Sequence, residues 1–143
     1  DAQPIQIEID IAEIGVAGDV DPGRLEARGR NLQQAPHITL LSDQQIESTA
    51  YHLFVLQIDF EGCRITRQHV MEKLKEKGIG SQIHYIPLYY HPILKCDEWQ
   101  EKERCPETEI YYAQALSLPL YYDLLEEEVD RVCQELCAIL KAV

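Results

Sequence analysis

The chain is 143 residues long, about one domain's worth, and its 45% hydrophobic content supplies a core without help from disulfides or metals. Its 25 acidic residues outnumber 13 basic ones for a net charge of −12, a field that repels phosphate backbones and anionic headgroups. Nucleic acid and membrane surfaces are therefore excluded as general partners, while a local pocket for an anionic small molecule stays open.

Five cysteines, an odd number with no C-x-x-C spacing, argue against a disulfide framework and against the zinc patterns. No run approaches the length of a membrane span, and the first residues lack the basic-then-apolar order of a signal peptide, so the expected compartment is the cytoplasm. The chain begins at Asp1 and not Met, which is read as sequence removed or left out upstream.

The texture changes near Ala35-Pro36, giving a leader over 1–35 and a second region over 36–143. Within the leader, residues 5–11 alternate strictly between isoleucine and polar side chains, the period-two pattern of a half-buried strand. Residues 12–35, with Gly15, Gly18, Pro22 and Gly23, read as loop.

Past Pro36, residues 37–41 form a short strand candidate and residues 52–60 a longer, central one, rich in aromatic and β-branched residues. A helix is expected over 66–77, with Thr66 as its cap, Val70, Met71 and Leu74 as its apolar stripe, and Gly78 as its stop. Its charged outer face, Glu72, Lys73, Lys75, Glu76 and Lys77, reads as a solvated surface. Residues 78–88 read as a turn into a strand that ends at Pro87, which cannot donate to a ladder.

An aromatic segment with Tyr89, Tyr90 and Trp99 leads to a helix over 106–116 started by Pro106, then to an extended connector at 117–122. The final helix, over 124–140, carries Val129, Val132, Cys133, Leu136, Ile139 and Leu140 at spacings of three and four, with Asp123 and Glu126 as a capping-box-like start.

The candidate chemistry sits at His84-Tyr85, where the strand is ending and neighbouring side chains can share one cleft. Histidine can donate to a phosphate or sugar oxygen, and tyrosine can hydrogen-bond or stack; a packed His beside an edge Tyr is the plain alternative. The paired tyrosines Tyr89-Tyr90, Tyr111-Tyr112 and Tyr121-Tyr122 suit a ligand rim, an interface or a wet surface equally. There is no G-x-G-x-x-G, no Walker loop, no G-x-S-x-G and no H-E-x-x-H.

Four ordered blocks carry a resemblance: Tyr51-His-Leu-Phe-Val-Leu-Gln-Ile-Asp-Phe60, Val70 through Leu88 with Gly-Ile-Gly-Ser-Gln-Ile-His-Tyr-Ile-Pro, Ala115-Leu-Ser-Leu-Pro-Leu-Tyr121, and Glu128-Val129. Together they resemble the C-terminal segment of the DegT/DnrJ/EryC1/StrS family of pyridoxal-phosphate-dependent sugar aminotransferases. In wording they are closest to members that aminate a nucleotide-linked 4-keto sugar toward pseudaminic acid. The match runs from about Pro36 to Leu140 and leaves the first 35 residues without a counterpart.

The resemblance implies an α/β fold of α+β sandwich type, the small C-terminal domain of a fold-type-I aminotransferase, with a mostly antiparallel sheet and helices on one face. It also implies that the cofactor and its Schiff-base lysine belong to a large domain preceding this segment. Lys73, Lys75, Lys77, Lys95, Lys102 and Lys141 lie outside the family's lysine segment, so this chain alone is expected to hold no cofactor and to be inactive.

His84 and Tyr85 inherit a substrate-contact role toward a nucleotide sugar, and Ser117-Leu-Pro-Leu-Tyr121 a packing role. No metal and no catalytic residue are assigned. Loss of the large domain's cover would favour self-association into a homo-oligomer. The alternative is a stand-alone binding module in which the leader strand covers the sheet.

Overall fold

The computed structural model describes residues 32, 35, 37–40, 52–94, 105–121 and 123–142. The expected strand over 5–11, and with it the leader as a cover for the sheet, lies outside these residues. Three strands form an antiparallel sheet in the order β1 (Ile38–Thr39), β2 (Phe54–Ile58), β3 (Ala115–Leu118). Helices α1 (Arg67–Glu76), α2 (Pro106–Gln114) and α3 (Glu126–Lys141) complete the fold, with short 3₁₀ turns at Leu88–Tyr90 and Pro92–Leu94. Among the described residues, no helix is long and apolar enough to cross a membrane.

The registers explain the layering. Ile58 faces Ile38, Leu56 faces Leu116 and Phe54 faces Leu118 across the ladder, so the apolar side chains of neighbouring strands share one face. Against that face pack Val70 and Leu74 of α1 and Val129, Val132, Cys133 and Leu136 of α3, joined by the fully buried Leu32. Each such aliphatic side chain removed from water contributes about 1.5–3 kcal/mol, which makes this layer the main source of stability. Helix α2 buries none of its own residues.

Helix α1 has the ends its sequence announces. Thr66 Oγ1 accepts from the His69 N–H at 3.2 Å. At the other end, Gly78 adopts a φ of 72° while the Ile79 N–H reaches back to the Leu74 carbonyl, the 6→1 bond of a Schellman stop. Across the α1–α3 contact, Arg131 donates to the Lys77 carbonyl and Lys77 Nζ lies 3.4 Å from Glu135.

Three expected boundaries move. The strand expected before Pro87 is a single bridge, Gln82 to Ser117. Continuing that antiparallel ladder would pair residue 80 with Pro119, which has no N–H, and residue 84 with Ala115, whose carbonyl accepts from Arg67 at 3.3 Å.

The helix expected to reach Leu116 stops at Gln114, because Ala-Leu-Ser-Leu alternates with period two and its leucines are drawn into the sheet's buried face. The last helix starts at Glu126, not with an Asp123 cap: Glu128 accepts from the Leu125 N–H at 2.8 Å, so the reaching carboxylate sits two residues later than expected.

Candidate functional site

Period two on β3 sends Leu116 and Leu118 into the core and turns Ser117 the other way. Ser117 is nonetheless only 4% exposed, since Gln82 bridges it on one side and β2 on the other. Two residues beyond Gln82, the His84 ring closes over it, with Nδ1 2.8 Å from Ser117 Oγ. Burial, aided by the nearby charge of His52, lowers the pKa of His84 from its ordinary value of 6.5 and favours the neutral imidazole.

Tyr111, from α2, donates its hydroxyl to the His84 carbonyl at 3.3 Å, and burial pushes its phenol up. The His84–Tyr85 peptide is cis. The Tyr85 ring stands edge-on to His84, with centroids 4.7 Å apart, and is 66% exposed. The structure thus brings the two expected site residues together as one pair, with the histidine anchored and the tyrosine presented to solvent.

A second cluster gathers around α2, the helix that carries Tyr111. The hydroxyls of Tyr89 and Tyr90 both donate to the Glu109 carboxylate, at 2.7 Å to Oε1 and 2.7 Å to Oε2 respectively. Burial and the Glu109 hydrogen bond together raise the Tyr89 phenol. Tyr90 packs on Tyr112 at 5.9 Å, and Arg67 lies 4.8 Å over the Tyr112 ring while donating to the carbonyls of Tyr112 and Ala115. The guanidinium therefore closes the C-terminal end of α2 and ties it to the start of α1.

Sequence reasoning missed Glu109 and Arg67, gave Ser117 only a packing role, and left Tyr111 among tyrosines equally suited to a rim, an interface or a wet surface. Ser117 had a readable signal, a lone hydroxyl inside an alternating apolar tetrapeptide. Glu109 and Arg67 had none, because their partners lie about twenty and forty-five residues away in the chain.

Chemically, a neutral imidazole beside an exposed phenol is a binding surface: it donates to oxygens and offers an edge for stacking. The lysines do not fit a Schiff base at this place. Lys73 Nζ is 2.7 Å from Glu76, Lys77 is paired with Glu135, Lys75 and Lys141 are exposed, and Lys95 and Lys102 fall outside the described residues. Pyridoxal phosphate therefore finds no covalent anchor among the described residues. Nor do three or more metal-ligating side chains gather among them.

Comparison with known proteins bears out the family, but the match begins at residue 24, inside the leader expected to have no counterpart. The profile of the DegT/DnrJ/EryC1/StrS aminotransferase family matches residues 24–137. The spore coat polysaccharide biosynthesis protein SpsC of Bacillus subtilis is 29% identical over 141 residues, covering 96% of this chain and 36% of SpsC.

Among solved structures, Helicobacter pylori PseC, an aminotransferase involved in the biosynthesis of pseudoaminic acid, superposes with a TM-score of 0.68 at 21% identity over 84% of this chain and 32% of PseC. DesI, solved in the presence of its TDP-sugar product, gives 0.70 at 22% identity over 82% of this chain and 30% of DesI. These two likenesses show the fold. The chain spans about a third of the length of each of these three relatives.

Proposed function

The chain belongs to the DegT/DnrJ/EryC1/StrS aminotransferase family, and from that premise we propose that it forms the substrate-side portion of a nucleotide-sugar aminotransferase, with His84 and Tyr85 contacting the sugar nucleotide. The family is pyridoxal-phosphate-dependent, and that cofactor supplies the amino-transfer chemistry when bound. The residues described here bind and orient. With no lysine among the described residues placed for the cofactor, the chain by itself is inactive and acts as one wall of a site completed by other residues. Its place of work is the cytoplasm, and its exposed apolar side chains favour association with a second body.

The observation that carries this reading is the His84–Tyr85 pair: an anchored neutral donor at 2.8 Å from a buried serine, next to a ring left 66% exposed. A sugar nucleotide offers the matching chemistry, hydroxyl and phosphate oxygens to accept and a base to stack. Titration of the chain with UDP-N-acetylglucosamine, followed by NMR, should shift the His84 and Tyr85 ring signals and leave those of His69 on α1 in place. Equal shifts at all histidines, or none, would overturn the assignment. Added pyridoxal phosphate with an amino donor should give neither a stoichiometric aldimine absorbance nor turnover; either result would refute the claim that this chain alone is inactive.

A further inference from the structure

Ser117 is a buried polar residue, only 4% exposed, and its hydroxyl has a single proton to place. The partner within reach is His84 Nδ1 at 2.8 Å. Were Nδ1 to carry the ring proton and donate it to Oγ, the serine proton would be left buried with no acceptor among the described residues, the costly side of the exchange. With the serine donating instead, Nδ1 is the bare nitrogen and the ring's proton sits on Nε2.

We propose that Ser117 is a positioning residue whose hydroxyl donates to His84 Nδ1 and fixes the Nε2–H tautomer, so that His84 offers its ligand an uncharged donor for an oxygen atom. Tyr111 fixes the backbone of the same residue by donating to its carbonyl at 3.3 Å. The two contacts hold the ring from β3 and the chain from α2. An imidazolium would need both nitrogens to donate and would again orphan the serine proton. The lowered pKa of His84, caused first by burial and then by the charge of His52, agrees with this.

An uncharged donor does not require an anion, so a sugar hydroxyl or carbonyl oxygen serves as well as a diphosphate oxygen. The role of the donor toward a ligand rests on the function proposed above; the tautomer does not, since it is a property of the ligand-free chain.

The test reads the tautomer directly. Long-range ¹H–¹⁵N NMR of the ligand-free chain should show Nδ1 of His84 as the unprotonated nitrogen and Nε2 as the protonated one. In Ser117→Ala the preference for Nε2–H should fall about fivefold, the worth of one neutral hydrogen bond, and Ser117→Thr, which keeps a hydroxyl, should restore it. A protonated Nδ1 in the parent chain overturns the proposal whether or not the variants fold, and so does an unchanged tautomer ratio in a folded Ser117→Ala.

Titrations with UDP alone and with UDP-N-acetylglucosamine then separate the sources of the oxygen. If UDP alone shifts Nε2, the acceptor is on the diphosphate; if only the sugar nucleotide does, it is on the sugar. A correct tautomer with no response to either probe refutes the ligand reading and leaves the positioning role standing.

Discussion

The two faces of the sheet are built by different physics. On one, Leu56, Ile58, Leu116 and Leu118 meet aliphatic stripes from α1 and α3, and the contact is a dry, close-packed layer. On the other, Ser117 meets His84, whose carbonyl Tyr111 holds, while Glu109, Tyr90, Tyr112 and Arg67 form a second polar group around α2; these hydrogen bonds and ring contacts each have a particular geometry. Dispersion and burial tolerate many sequences of similar volume; a hydroxyl aimed at one ring nitrogen does not. Stability should therefore reside in the first face and ligand contact in the second, and substitutions can pull these apart.

The largest effect is expected from the aliphatic layer. Leu74 is fully buried between the sheet and α3, so Leu74→Ala leaves a cavity and should cost about 2–5 kcal/mol in urea unfolding. The His84 tautomer should survive in whatever fraction remains folded, and its loss at equal fraction folded would show that the two faces are not separable. Next comes Gly78→Ala at the end of α1. Its φ of 72° disfavours a Cβ, though no heavy atom lies within 4 Å of the one that would be added, so the cost is conformational alone, about 1 kcal/mol by chemical denaturation.

The same division decides what the sequence makes legible. Helix α1 can be read from Thr66 to Gly78 because its cap, stripe and stop are local signals, and α3 can be read from its stripe at spacings of three and four. Strand β3 is harder: a four-residue alternation directly after a helix reads as that helix's last turn until Leu116 and Leu118 have a sheet to enter. Pro87 correctly marks the end of an extended segment but says nothing of how little of it pairs, since the limit is set by Pro119 and Arg67 across the chain. His84 and Tyr85 are legible as chemistry-bearing residues, whereas their support from Ser117 and Tyr111 is a tertiary fact.

A smaller effect should come from Glu109→Gln. The carboxylate accepts from two phenols at once, and an amide with one oxygen retains part of that capacity. Global stability should fall by less than about 1 kcal/mol, because the cluster is half exposed and lies outside the aliphatic layer. Hydrogen exchange at the Tyr90 and His91 amides should quicken, and the Tyr89 phenol, held up by burial and by Glu109, should ionise at lower pH in an ultraviolet titration. A global loss as large as that of Leu74→Ala would erase the proposed contrast between the faces.

The finest test lies in the pH dependence of stability. His84 is held neutral by burial in the folded chain, with its pKa below the ordinary 6.5 that it regains on unfolding. The unfolded chain therefore binds more protons as pH falls. The stability associated with His84 is intact above about 6.5, declines as the unfolded form protonates, and stops declining once the pH has passed below the folded pKa. His84→Gln removes this contribution, so its unfolding midpoint should fall less than the parent's between about pH 8 and about pH 5, the other four histidines being common to both.

Ser117→Ala should lie between the two, because it lifts only the part of the penalty that comes from the orphaned serine proton. Parallel pH profiles for all three would mean that the polar face holds His84 in place without setting its charge. In that case His84 would be free to meet its ligand as a cation, and the proposed distinction between an uncharged and a charged donor would fall.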